Sequence, residues 1–89
     1  MKPYGIAAGL AAGLSLLSVN SAFAVTEISW WHAMGGALGE TVNEIATDFN
    51  ASQDEIVLTP VFKGTYEETL TAGIAAFRAG EQPNILQVF

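Results

Sequence analysis

Two hydrophobic rhythms alternate along residues 26–89, and that alternation restricts the fold more than any single motif. TEISWWH at 26–32 and IVLTPVF at 56–62 are short and rich in β-branched and aromatic residues, as strands are. NILQVF at 84–89 has the same character and reads as a third, buried strand. Between them the period changes. Leu38, Val42, Ile45, Ala46 and Phe49 recur at the spacing of one helix face, with Glu40, Glu44 and Asp48 largely opposite. Leu70, Ile74 and Phe77 line a second helix over 66–79, with Ala72, Ala75 and Ala76 filling the rest.

The punctuation agrees with this division. Ala33, Met34, Gly35 and Gly36 form a loop after the first strand, and Asn50 is expected to end the first helix, because asparagine tolerates the left-handed conformation. Thr65 and Glu68 have capping-box spacing, Gly80 stops the second helix, and Pro83 prevents its return. Pro60 removes one ladder donor, which places its strand at an edge or a bulge. The expected class is therefore α/β: a β-α-β-α-β start with a parallel sheet and helices on both faces. Right-handed crossovers would bring every strand exit to one rim, where sheets of this kind bind ligands. That rim would carry residues 32–36, residues 63–66 and whatever follows Phe89.

Residues 1–24 are expected to be a secretory signal peptide. Lys2 supplies the positive start, 6–17 an apolar run shorter than a membrane span, and Ala22-Phe23-Ala24 a small-residue cleavage site. Cleavage after Ala24 would place the remainder in the periplasm with no direct membrane insertion. It would also leave Lys63 and Arg78 as the only Lys or Arg against all nine acids, a surface unsuited to nucleic acid or anionic lipid. The chain has no cysteine to staple a small exported domain. A domain of this size hides only about 60% of its unfolded surface. Residues 25–89 are therefore expected to be the front part of a longer protein and not to fold alone.

Chemistry-bearing residues are few. One histidine, no cysteine and no G-x-S-x-G exclude the familiar nucleophilic arrangements, and no second histidine or carboxylate run accompanies His32 to hold a metal. His32 is either a hydrogen-bonded strand end or a pocket-lining group. Gly35, Gly36 and Gly39, with Glu55 downstream, imitate a dinucleotide fingerprint, but Met34 stands where its first glycine is required. Trp30 and Trp31 face opposite sides of a strand and suit helix packing better than a sugar platform. At Lys63-Gly64-Thr65-Tyr66 a strand ends and a helix begins. Its first turn offers free N–H groups and the positive dipole end, which attract anions, and the phenol of Tyr66 can wall a pocket and donate a hydrogen bond. Thr65 can equally be only a cap and Tyr66 only a staple.

Trp31-His32-x-Met34, Leu38-Gly39, Val42, Phe49-Asn50, Lys63-Gly64-x-Tyr66-Glu67, AGIAAFRAG at 72–80 and ILQV at 85–88 together resemble the start of periplasmic glycerol-3-phosphate-binding proteins. These are extracellular solute-binding receptors of ABC importers, several times longer than this chain. The resemblance implies a type II periplasmic-binding-protein fold of two α/β lobes, with residues 25–89 opening the first lobe. It implies sn-glycerol 3-phosphate, and in some members glycerophosphodiesters, as ligand, membrane permease subunits as partners, no cofactor, no metal and no enzymatic step. By it, Tyr66 matches a ligand-contacting tyrosine, an acid is expected just after the third strand, and Ala33 stands where relatives often carry serine. His32 is kept as a second ligand-binding candidate. The rival readings are a sugar- or oligosaccharide-binding member of the same superfamily and, from another class, an exported α/β enzyme.

Overall fold

The computed structural model describes residues 24–89, so the expected signal peptide, apart from Ala24, lies outside the described residues. Its order is β1 (Thr26–His32), α1 (Gly36–Ala51), β2 (Ile56–Phe62), α2 (Tyr66–Arg78) and β3 (Ile85–Leu86). The strands form one sheet in the order β2-β1-β3, with both pairings parallel. The first two strands coincide with the expected ranges. Among the described residues no helix is long and apolar enough to cross a membrane.

Side-chain alternation divides the helices between the faces. His32 pairs with Phe62, and Gly35 at the entrance to α1 lies against the Phe62 ring. Trp31 points to the other face and pairs with Leu86, which lies against Gly73 of α2. The helices thus cover opposite faces, as expected. The chain leaves β1 for one side, then crosses back to the other. That reversal is a topological switch point between β1 and β3, the place where open α/β sheets form a crevice outside their strand exits.

β2 is an edge strand among the described residues, and its register with β1 runs through Trp30–Pro60 without a bulge. At its two ends Thr26 N–H donates to Glu55 O at 3.0 Å and Lys63 N–H donates to His32 O at 2.9 Å. Odd-numbered residues of this segment therefore turn their backbone groups to β1, and even-numbered ones face outward. Gln53 occupies the outward groups of Ile56, accepting from its N–H at 2.8 Å and donating to its carbonyl at 2.7 Å. Asn50 does the same for Leu58, at 2.8 and 3.0 Å. Pro60 has no N–H to offer.

Asn50 therefore does not end α1 in the left-handed conformation. The helix runs one residue further to Ala51 and its C-cap, Ser52, has φ −84°. The side chain is more useful bridging to β2 than its backbone would be turning.

The third strand is also shorter than the expected 84–89. Only Ile85 and Leu86 pair, and side chains bracket them. Asn84 Oδ1 accepts from Ser29 N–H at 2.8 Å, and Gln87 Oε1 accepts from Ala33 N–H at 2.8 Å. Both brackets take β1 donors away from a longer ladder. Val88 and Phe89 are exposed, contrary to the expected buried strand.

The helix faces need correction too. Val42 and Ala46 of α1 are buried as expected, but Leu38, Ile45 and Phe49 of the same face are exposed. In α2 the sheet-facing stripe is Thr69 and Gly73, with Ala76 half-buried, whereas Phe77 is 69% exposed and Leu70 and Ile74 nearly half so. Contact distance decides this. A Cβ on Gly73 would come within 2.7 Å of the Leu86 side chain, so only a ridge of small residues lets α2 approach the sheet.

Candidate functional site

The rim of strand exits is built by two strand-to-helix junctions and the chain leaving β3. At the β2–α2 junction Gly64 has φ +109°, a region that glycine enters without penalty. Its turn sets Thr65 as N-cap: Thr65 Oγ1 accepts from Glu68 N–H at 3.0 Å, and Glu68 Oε1 accepts from Thr65 N–H at 2.8 Å. The expected capping box is complete, and such caps contribute about 1 kcal/mol. Glu67 and Glu68 add negative charge to the positive end of the helix dipole.

Tyr66 is the first residue of α2 and is half-buried. Its ring stacks on Phe89 with centroids 5.2 Å apart and planes inclined by 28°. Phe89 itself stays exposed, so the stack covers one side of the phenol and does not bury it. Tyr66 walls a hollow of about 370 Å³ together with Thr65, Leu70, Val88 and Phe89, at the small end of the range that holds small molecules. The ring therefore stands on the rim beside the exit of β3 and is not packed between α2 and the sheet.

Lys63 sends its ammonium over the Trp31 ring, 4.0 Å from the centroid, a cation–π contact. The tryptophans divide as the alternation requires. Trp31 lies on the α2 face under Lys63, while Trp30 lies on the α1 face with its ring 5.7 Å from that of His32. Both residues are half-buried.

His32 ends β1 on the α1 face and is only 2% exposed, between Trp30 and Phe62. Burial lowers its pKa below the ordinary 6.5, because the imidazolium loses hydration there. Nδ1 accepts from Met34 N–H at 3.2 Å, which places the ring proton on Nε2 and shapes the loop after β1. His32 lines a second hollow of about 370 Å³ at the β1–α1 junction, with Met34, Gly36, Gly39 and Phe62. That hollow shares no residue with the one beside Tyr66, so the two candidates are not brought together.

Sequence reasoning did not single out Gln87. The residue directly after β3 donates its N–H to Trp31 O at 2.9 Å and holds the Ala33 N–H with its side chain. It thereby ties the exits of β1 and β3 together at the switch point. Alternation in a strand hints at an outward polar residue there, but only the strand order reveals what it faces.

One alternative loses its geometry. Glu55 precedes β2 and lies at the opposite end of the sheet from the glycines of α1, so the dinucleotide arrangement is not formed. Among the described residues no cluster of three His, Asp or Glu could hold a metal.

A parallel α/β layer with an aromatic-walled rim at its switch point is consistent with the start of a lobe of the type II binding-protein fold. No protein-family model matches the chain. Individual relatives do. It is 60% identical over 79 residues to the sn-glycerol-3-phosphate-binding periplasmic protein UgpB of Agrobacterium fabrum, a match covering 89% of this chain and 18% of the relative. It is 54% identical over 80 residues to the protein of the same name from Brucella abortus, covering 90% and 18%. A third, from Yersinia pestis bv. Antiqua, is 54% identical over 76 residues, covering 85% and 17%. The resemblance to glycerol-3-phosphate-binding periplasmic proteins is borne out over nearly all of this chain. The chain spans less than a fifth of the length of these curated relatives.

Proposed function

We propose that this chain is the opening part of the first lobe of a periplasmic receptor that captures sn-glycerol 3-phosphate and delivers it to the permease of an ABC importer. Residues 1–24 direct export and are removed after Ala24. The observation that carries this reading is the 54–60% identity to proteins named for binding that ester in the periplasm. No bond is made or broken in the protein's work. A second lobe closes over the rim, and closure reports occupancy to the membrane partner.

Within the described residues Tyr66 is the proposed ligand contact. It stands at a strand exit, its ring walls a hollow, and its hydroxyl has no partner among the described residues. His32, being buried, would act on this ligand through the loop it shapes. Titration calorimetry on the full-length mature protein tests the proposal. Binding of glycerol 3-phosphate is expected, and binding of maltose in its place would overturn the ligand assignment. Tyr66→Phe is expected to weaken affinity by about 0.5–1.5 kcal/mol, the contribution of one neutral hydrogen bond. Unchanged affinity would return Tyr66 to a structural role.

A further inference from the structure

The charge balance of the rim turns on Lys63. Residues 24–89 hold nine acids and, as Lys or Arg, only Lys63 and Arg78. Arg78 lies in the last turn of α2, about 18 Å along the helix from Tyr66. Lys63 directly follows β2 and is the only Lys or Arg on the rim among the described residues.

Its position is set at both ends of the residue. The backbone N–H donates to His32 O at 2.9 Å, at the exit of β1. The ammonium lies 4.0 Å from the centroid of the half-buried Trp31 ring. A ring orients a cation without cancelling its charge, whereas a carboxylate in that place would neutralise it. Trp31 O accepts from the N–H of Gln87, which precedes Val88 and the Phe89 on which Tyr66 stacks. Only Gly64 and Thr65 separate Lys63 from Tyr66, so the two Cα atoms are at most about 11 Å apart. Lys63 does not line the hollow beside Tyr66. Its field reaches that hollow all the same, since charges are screened over about 10 Å at 0.1 M salt.

The hollow needs such a field to take an anion. Glu67 lines it, and Glu68 stands in the same helical turn. These carboxylates offset the positive end of the helix dipole and repel negative charge. We infer that Lys63 is a specificity-determining residue, which selects for the charge of a phosphate ester through an ammonium that Trp31 holds in place. The inference rests on the receptor reading above and adds to it the group that senses charge, where Tyr66 supplies a hydrogen bond.

The test is titration calorimetry of the full-length mature protein with glycerol 3-phosphate, comparing wild type, Lys63→Met and Lys63→Arg. Each is measured at about 0.01 M and about 1 M salt, between which the screening length falls from about 30 Å to about 3 Å. Lys63→Met should weaken binding about tenfold at low salt and come within about twofold of wild type at high salt. Methionine keeps an unbranched side chain over Trp31, so a loss from repacking alone would be equal at both salts. Lys63→Arg retains the charge and stacks on rings, and should stay within about twofold of wild type throughout. Wild-type affinity in Lys63→Met at low salt, a loss independent of salt, or an equal loss in Lys63→Arg overturns the inference and leaves the receptor reading in place. A wild-type protein with no affinity for glycerol 3-phosphate overturns the receptor reading, and the role of Lys63 falls with it.

Discussion

The two helices of this layer begin in opposite ways. α2 starts behind a left-handed glycine with a threonine cap, a returning glutamate and two acids in its first turn. α1 starts behind Gly35 with no side-chain cap and no acid. Both starts stand on the rim where strands deliver their ends. The helix that satisfies its own terminus can position a neighbouring group, here Tyr66, without needing a guest. The helix that does not satisfy it is left with donors to offer. Capping in this layer thus separates a junction held by its own side chains from one that is not.

The sharpest way to break this contrast is at Gly64. Gly64→Ala puts a Cβ into the Glu68 carboxylate at a backbone angle that alanine rarely adopts. A loss of about 2 kcal/mol in urea denaturation of the full-length protein is expected. A change near zero would show that the capping box is not held by that turn. Thr65→Ala should cost about 1 kcal/mol, and amide exchange should quicken first at the start of α2. Gly35→Asp should act in the opposite direction, raising stability by about 0.5 kcal/mol through a cap and a favourable dipole contact. If it destabilises, the start of α1 is satisfied by other means and the contrast fails.

The smallest effect is a pH dependence set by His32. Its folded pKa lies below the ordinary 6.5, so the unfolded chain takes up the proton first as pH falls. Stability should therefore decline as pH drops from 6.5 toward the lowered folded value, and be indifferent to this group above 6.5. His32→Phe should remove that slope, and an unchanged slope would assign it to another group.

What could be read from the sequence was whatever neighbours in the chain decide. The limits of β1 and β2 follow from local runs of β-branched and aromatic residues, and the capping box needs only Thr65 and Glu68 three positions apart. The edge position of Pro60 was also legible, since a missing donor is a local fact. What could not be read depended on distance between elements. Leu70, Ile74 and Phe77 looked like the buried face of α2 by size, but Leu86 leaves room only for Gly73. Asn50 looked like a helix terminator because its pairing with Leu58 depends on where β2 lies. The extent of β3 was set by Asn84 and Gln87 reaching across to β1. The position of Tyr66 on the rim, at the exit of β2, was legible from topology. The bare start of α1 was visible as glycines, but the burial of His32 between Trp30 and Phe62 depended on how β1 and β2 pair.

One consequence of the blunted flank of β2 reaches beyond this layer. With Gln53 and Asn50 occupying the outward backbone of Ile56 and Leu58, and Pro60 offering no N–H between them and the rim, that side gives a passing polypeptide few donors to zip onto. In a crowded compartment such an edge discourages runaway fibril growth without spending a charged residue. Two amides and a proline thus guard this flank of the sheet.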